Sequence, residues 1–391
     1  MKKLYCAVAV SLACASGVAS AIDLTDYTVP VSKYSDTFVD GKFNTKTGNQ
    51  DKTSYDLNLN LNTENVNSTV YHTLRLKGDA LVDAHQKASN TEKFQKDIVV
   101  NVQGNIDNYF KDDNRLFWFG SAEYGYQNSA VDDRIKAGVG IGYGRVFDAT
   151  PLAKVLRIEE ELREHGVIKG GTISDKTYIK LAEVIDREDE FKSKHGADEY
   201  KPYYFEAFEA ILKEEGVLRE GGLGATGSLF MNRVLYDEKV STRRHGWVVR
   251  GGTNVVFSDF SGSANSDPSL DIEIEYAKPY GYKHQFDEVF QYSTVFSNDT
   301  DQNFSNRVSY TYEVSDMIDI ENVWDLTYTL SGTPATTDVI NNKLSSSFRY
   351  YLSNRISTGF TVSLSKITDD INNNTDEPDL ATFFDIRYRL K

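Results

Sequence analysis

The sequence predicts a mainly β fold: an antiparallel barrel of about fourteen strands, interrupted between strands 6 and 7 by a helical insertion. Three observations predict it. Segments in which every second residue is apolar recur from residue 36 to the C-terminus, the period at which side chains alternate between the two faces of a strand. One internal stretch, residues 148–243, abandons that period for apolar residues at helical spacing. After residue 21 there is no apolar run of about twenty residues, so a membrane helix is unavailable, whereas alternating strands of about ten residues remain able to cross a bilayer.

The N-terminal residues MKKLYCAVAVSLACASGVASA have two lysines, an apolar run from Tyr5 to Ala15, and Ala19-Ser20-Ala21 before Ile22. That is the layout of a bacterial secretory signal, residues 1–21, cleaved after Ala21. Both cysteines, Cys6 and Cys14, lie inside it, so the mature chain has no disulfide framework and no thiolate metal site. A formal charge of −15 disfavours nucleic acid as a partner, because binding phosphates needs a basic surface.

The strands follow in order. The first is the weak segment Asp36 to Thr45. In SYDLNLNLN, Tyr55, Leu57 and Leu59 share one face, and in KDIVVNVQGNID so do Ile98, Val100, Val102 and Ile106. AGVGIGYGR, from Ala137, opposes Val139, Ile141 and Tyr143 to Gly138, Gly140, Gly142 and Gly144, which places a bare glycine strip on the inner face. LDIEIEY, RVSYTYEV, VWDLTYTL and SSSFRYYL continue the alternation. The final segment, FDIRYRLK, turns Phe384, Ile386, Tyr388 and Leu390 outward and Asp385, Arg387 and Arg389 inward. A soluble sandwich also alternates. Tyr, Phe and Trp near strand ends favour the membrane barrel, whose interfaces carry aromatic girdles.

That last strand, running to the C-terminus with an aromatic and aliphatic face, resembles the closing strand of Gram-negative outer-membrane β-barrel proteins of the porin-like kind. The resemblance covers the β parts of the mature chain and points to no specific family. It implies an outer-membrane location, outer-membrane lipid around the barrel, and both chain termini on the periplasmic side.

Connection lengths are consistent with this. Counting from the first strand, they alternate: longer near Gly48, shorter at Asn62 to Ser68, long at Gly78 to Glu92, short at Lys111 to Asn114, middling at Asn128 to Asp132. After the insertion the alternation resumes, with tight turns at Pro279 to Tyr282, Ser315 to Asp319 and Ser353 to Asn354. Six strands precede the insertion and eight follow, so the chain divides into residues 22–147, the insert 148–243, and residues 244–391. An even count returns the chain to the periplasmic side, and the insert starts and ends there.

Within the insert, Thr150 is placed to cap a helix with Pro151 in its first turn and Gly166 at its end. A second helix fits Ser174 to Lys194, with Tyr178, Leu181, Ala182 and Ile185 on one face. A third fits Pro202 to Glu215, with Phe205, Phe208, Ile211 and Leu212 inward and Gly216 beyond it; a fourth begins at Ser228. Such helices can form a small bundle below the barrel or a plug within it. The glycine strip would let one of them lie against the wall; glycines that merely curve the barrel give the same pattern.

Catalytic signatures are thin. The six histidines are isolated, and no HExxH, GxSxG or phosphate-loop motif is present. The chain calls for no cofactor. DIEIE aims Asp271, Glu273 and Glu275 at the lumen, and inward arginines, Arg75, Arg115, Arg145, Arg250, Arg307, Arg349, Arg387 and Arg389, can oppose them. Opposed rows either filter solutes or pair off and stiffen the barrel. TDDINNNTDEPD offers Asp369, Asp370, Asp376 and Asp379 as hard oxygen ligands for calcium, without the glycine and closing glutamate of an EF-hand loop. RRHGW, from Arg243, resembles a basic clamp whose Trp247 sits at the membrane interface, its arginines pairing with the insert's acidic helices or with lipid headgroups. The expected function is an outer-membrane pore for a hydrophilic solute or polymer, with the insert restricting passage or recruiting. A docking anchor that binds a periplasmic protein through helices within 150–239 is the alternative, and an outer-membrane hydrolase the third.

Overall fold

The computed structural model describes residues 22–46, 53–86, 94–111, 115–262, 267–296, 300–332, 338–369 and 378–390. The secretory signal expected at 1–21 lies outside the described residues.

Fourteen strands form one closed barrel: β1 Ser32–Lys46, β2 Ser54–Ser68, β3 His72–Gln86, β4 Gln95–Tyr109, β5 Leu116–Gln127, β6 Arg134–Asp148, β7 Arg244–Ser258, β8 Ser269–Tyr280, β9 His284–Val295, β10 Gln302–Ser315, β11 Ile318–Leu330, β12 Val339–Tyr351, β13 Ile356–Asp369 and β14 Asp379–Arg389. Each is antiparallel to its sequence neighbours, and β1 closes on β14 from Phe38↔Arg389 to Gly41↔Ile386. Closure removes the unpaired edges that an open sheet would expose.

The alternation read from the sequence separates the two faces. Outward residues such as Val139, Ile141, Leu380 and Phe384 are more than 60% exposed. Inward positions around the barrel are dominated by Asp, Glu, Arg, Asn, Ser and Thr, with the glycines of β6 among them. Aromatic residues mark both ends of the outer face. Near the insert, Tyr143 packs on Trp247 with ring centroids 5.8 Å apart. At the other end Tyr292, Phe304 and Tyr328 form a row across β9 to β11, at 4.8 and 6.2 Å.

Register corrects the expected turns. Asn62 to Ser68 is not a connection: β2 continues through it, paired with β3 as far as Ser68↔Thr73, and the turn is Thr69–Tyr71. Likewise β3 runs to Gln86, past the connection expected from Gly78. The first strand starts at Ser32 and ends at Lys46, four residues earlier and one later than expected. The parity survives, so the short turns, the start of β1, the end of β14 and the insert share one rim.

The insert holds five helices, α1 Thr150–Glu164, α2 Asp175–Asp186, α3 Glu188–His195, α4 Tyr200–Glu215 and α5 Gly224–Asn232, followed by a π-helical turn Arg233–Asp237. The single helix expected over Ser174 to Lys194 is two, broken at Arg187, which ends α2 and precedes α3. The cap position of α1 is Ala149 rather than Thr150; the Asp148 carboxylate accepts from Thr150 N at 2.9 Å instead. Both glycine stops form the same device. Gly166 and Gly216 adopt φ +69° and +75°, and the following valines donate back to Leu162 O (2.8 Å) and Leu212 O (3.4 Å). The segments after them meet in an antiparallel bridge, Ile168↔Leu218.

A single apolar cluster holds the helices together, with Leu152, Leu162, Leu181, Phe208, Leu212 and Met231 each at 1% exposure or less. Each such side chain contributes about 1.5–3 kcal/mol. Ile22, Leu24 and Tyr27 belong to this cluster too, so the chain before β1 is a strand-free strap packed into the insert rather than part of the barrel wall.

Candidate functional site

The acidic row is legible in the strand pattern: Asp271, Glu273 and Glu275 alternate with Leu270, Ile272 and Ile274 on β8 and therefore face the lumen. None of the three stands as an isolated charge. Lys136 Nζ on β6 lies 2.7 Å from Asp271. Arg250 on β7 donates to Glu273 at 2.8 Å and, from its other nitrogen, to Asp107 of β4 at 2.7 Å. Glu275, at 3% exposure, receives Arg75 from β3 at 3.3 Å and Arg244 at 2.9 Å, and Arg244 also holds Asp287 at 2.9 Å. Arg75 and Glu275 are five strands apart on the wall, so their bond is a chord across the lumen. Of the two roles expected for the opposed rows, the geometry displays direct pairing, a charged bridge through this half of the barrel.

The glycine strip explains how the bridge fits. Side chains added at Gly138, Gly140 or Gly142 would meet Asn254, the Phe117 and Phe119 rings of β5, and the β7 backbone. Those rings occupy the space left free, and the closest neighbours of the strip come from β5 and β7, not from an insert helix. Phe117 is fully buried, and the Arg250 guanidinium lies 5.6 Å from its ring. At Gly144 the backbone takes φ +106°, and Arg145 then lies over the Tyr109 ring at 4.4 Å. It donates to Val70 O and Ser68 Oγ, both at 3.0 Å, and to Thr69 O. Arg145 thereby fastens the β2–β3 turn.

The opposite wall pairs more locally. Arg349 donates to both Asp385 oxygens at 3.1 and 3.3 Å, and Arg389 to Asp36 at 2.8 Å. Arg387 lies over the Phe38 ring at 4.0 Å. Arg307 bonds Asp325 at 2.8 Å with both side chains well exposed, toward the rim away from the insert. Arg115 departs from expectation: it sits in the β4–β5 turn, exposed, because β5 begins one residue later.

The insert is seated on the rim by polar contacts. Glu313 at the end of β10 is 2% exposed and receives Arg157 of α1 at 3.3 Å and Arg243 of the return linker at 2.9 Å. Arg243 is wholly buried and also donates to Tyr282 O at 2.8 Å. Arg233 reaches Asp316 at 3.0 Å, Lys239 reaches Asp36 at 3.5 Å, and Asn354 donates to Tyr236 O at 3.0 Å. The RRHGW arginines thus pair with strand carboxylates, Glu313, Glu275 and Asp287, rather than with acidic helices; His245 meets Tyr27 O at 2.8 Å, and Trp247 is exposed on the outer face. In the insert, burial together with Asp148 and Glu190 pushes the Asp186 carboxyl up to about 7. Burial brings the Lys239 ammonium down to about 8.

Between this seat and the charged bridge lies a chamber of about 290 Å³. Of the expected calcium ligands, Asp370 and Asp376 lie outside the described residues, and Asp379 is an exposed residue opening β14. Asp369 ends β13. Among the described residues no cluster of three or more His, Cys, Asp or Glu could hold a metal. Sequence reasoning missed Asp107, Glu313 and Phe117, whose roles depend on which strands closure brings together.

No family model and no curated protein matches the chain. Solved structures similar to it are membrane β-barrels. A loop L8 deletion mutant of OmpT, an outer membrane protein of Vibrio cholerae, is 9% identical with a TM-score of 0.33, covering 92% of this chain and 99% of its own. The Acinetobacter baumannii outer membrane protein Omp33 is 7% identical with a TM-score of 0.31, over 92% and 98%. CdiB from Escherichia coli is 6% identical with a TM-score of 0.40, over 90% of this chain and 62% of its own. Likenesses at this level transfer neither a site nor an activity.

Proposed function

We propose that the chain is a pore-forming barrel of a Gram-negative outer membrane, closed at rest by its own helical insert. The observation that carries this reading is the inside-out distribution of the barrel: large apolar residues exposed around the outer face, charged and amide residues on the inner one. Such a wall has no use in water and a clear one in a bilayer, where every backbone group is satisfied by the closed ladder.

Closure has two tiers. The insert sits over the rim that carries the short turns, held by Glu313, Asp316, Asp36 and their cationic partners. Behind it, the Arg75–Glu275 chord and the Arg250–Asp107 pair narrow the lumen. A hydrophilic solute passes once the insert is displaced. Strand parity, with both chain termini expected on the periplasmic side, supports a periplasmic placement of the insert. The docking role expected for helices within 150–239 has little surface to draw on, since Tyr203 and Leu229 are the insert's exposed large apolar residues among those described.

Reconstitution in planar bilayers tests the pore. Full-length protein should be silent or nearly so, and a variant with residues 150–236 replaced by a short Gly/Ser linker should give discrete current steps. A folded, heat-modifiable variant without steps overturns the reading.

A further inference from the structure

The outer wall departs from its apolar pattern at one place. Outward Asp, Glu, Asn, Gln, Lys and Arg stand within three residues of a strand end everywhere among the described residues except at Glu288, Asn306 and Asn322. These three lie on adjacent strands, β9, β10 and β11. Their orientation follows from their neighbours. Asp287 and Glu321 line the chamber, so Glu288 and Asn322 face the other way, and Asn306 is in register with the outward Phe290 and Leu326. Each is bracketed along its strand by large apolar residues: Phe286 and Phe290, Phe304 and Val308, Ile320 and Trp324.

Glu288 and Asn322 each stand four residues from the insert-side end of their strand, at His284 and Ile318, so they share one depth within the apolar band. Two strands and a two-residue register offset separate them, about 12 Å along the wall. Asn306 Nδ2 donates to Glu288 at 3.2 Å, which leaves the carboxylate further acceptor capacity on its outer side. Asn322 is exposed, and no hydrogen bond engages its amide among the described residues. Lipid tails offer neither donors nor acceptors. A carboxylate and a free amide at this depth are costly against lipid and far less so against protein.

We propose that the outer face of β9 to β11 is an interface between two copies of this chain in the membrane. A two-fold axis along the membrane normal sets the same patch against itself. With that axis midway between Glu288 and Asn322, each Asn322 amide meets the Glu288 carboxylate of the other copy at the same depth. The donor and the acceptor are satisfied twice over, and each Glu288 faces an amide rather than a like charge. Complementarity of the patch with itself is what singles out a second copy: one face carries both halves of the bond. The inference rests on the barrel lying in a membrane and not on its conducting.

Cysteine cross-linking in outer-membrane vesicles tests it, on a clean background because residues 22–391 contain no cysteine. Full-length protein carrying Glu288→Cys and Asn322→Cys together should form disulfide-linked dimers on mild oxidation. The two positions are too far apart within one chain to bridge. Asn322→Cys alone should give several-fold less, since the axis holds identical positions apart, and Val139→Cys, outward on β6, serves as the background. Native mass spectrometry of the wild-type protein in mild detergent should show a dimer. Asn322→Leu should weaken that dimer at least tenfold while keeping heat-modifiable gel mobility, and Glu288→Gln, which still offers an acceptor, should weaken it less. A monomeric wild type overturns the inference, as do cross-linking no greater than that of Val139→Cys, a disulfide partner other than this chain, and an Asn322→Leu dimer as tight as the wild type. Should the double variant fail to fold, the wild-type mass decides. Association is read without current, so absent conductance in a dimer counts against the pore and not against this interface.

Discussion

At the residue scale, the inner wall shows why glycine and charge occur where they do. Gly138 and Gly140 look equivalent in sequence, yet a Cβ at Gly138 would meet the ends of Asn254 and Ser121, whereas one at Gly140 would meet the Gly251 carbonyl and the Gly252 backbone as well as Phe119. Side-chain ends can rotate away; a paired backbone cannot. Gly140→Ala should therefore destabilise the barrel by about 1–3 kcal/mol and Gly138→Ala by clearly less, measured by denaturant unfolding of the refolded protein. Equal losses would mean that the strip serves curvature rather than close approach. Asp186 gives a pH-dependent counterpart. Its ordinary value near 3.8 rises to about 7 in the folded insert, chiefly by burial, with Asp148 and Glu190 also opposing its charge and Lys154 and Lys33 favouring it. The folded state holds this proton more tightly than the unfolded one. The stability it contributes is thus complete below about pH 4 and lost as pH rises through about 7. Protease resistance of the insert should fall from pH 5 to pH 8, and Asp186→Asn should flatten that slope.

At the element scale, strands were legible because their outer faces are apolar at every second residue, and their ends were not. Thr63 to Ser68 contains Glu64, Asn65 and Asn67, which read as a turn; they extend β2 because ladder bonds to β3, not apolar burial, hold a strand at its rim. Helix stops at Gly166 and Gly216 were legible because a left-handed residue there satisfies terminal carbonyls. The break at Arg187 was not, since helical periodicity runs across it. Inward arginines and acids were visible as a face, but their pairing was invisible: Arg75 and Glu275 are 200 residues apart and meet only because the sheet closes. Seating of the insert was likewise hidden, since Glu313 is one inward acid among many until Arg157 and Arg243 converge on it. Glu313→Ala leaves Arg243 buried without its counter-charge, at a cost of about 3–5 kcal/mol, while Arg157 keeps Glu238 at 2.9 Å. Limited proteolysis should then cut the insert readily in a barrel that stays folded. Lys33→Ala should change nothing measurable, because its pair with Asp189 is 64% exposed on both sides.

At the scale of the whole molecule, the proposed function puts two closures in series, and their contributions separate. The insert has its own apolar core and meets the rim largely through polar groups, with Tyr282 of the β8–β9 turn also packed on that core, so the proposed opening moves it as a body. The charged bridge instead belongs to the wall. Removing residues 150–236 should thus open a channel of small conductance, narrowed by Arg75 and Arg250. Adding Arg75→Gln to that deletion cuts the chord between β3 and β8, and the conductance should rise further. It should also shift toward cations, since Glu275 then keeps Arg244 but loses its partner across the lumen. In the full-length protein, Arg75→Gln alone should leave the current at its resting level, because the insert still covers the rim. Current from that single variant would mean that the bridge is the closure and the insert a bystander, whereas a deletion already at full conductance would mean that the bridge closes nothing.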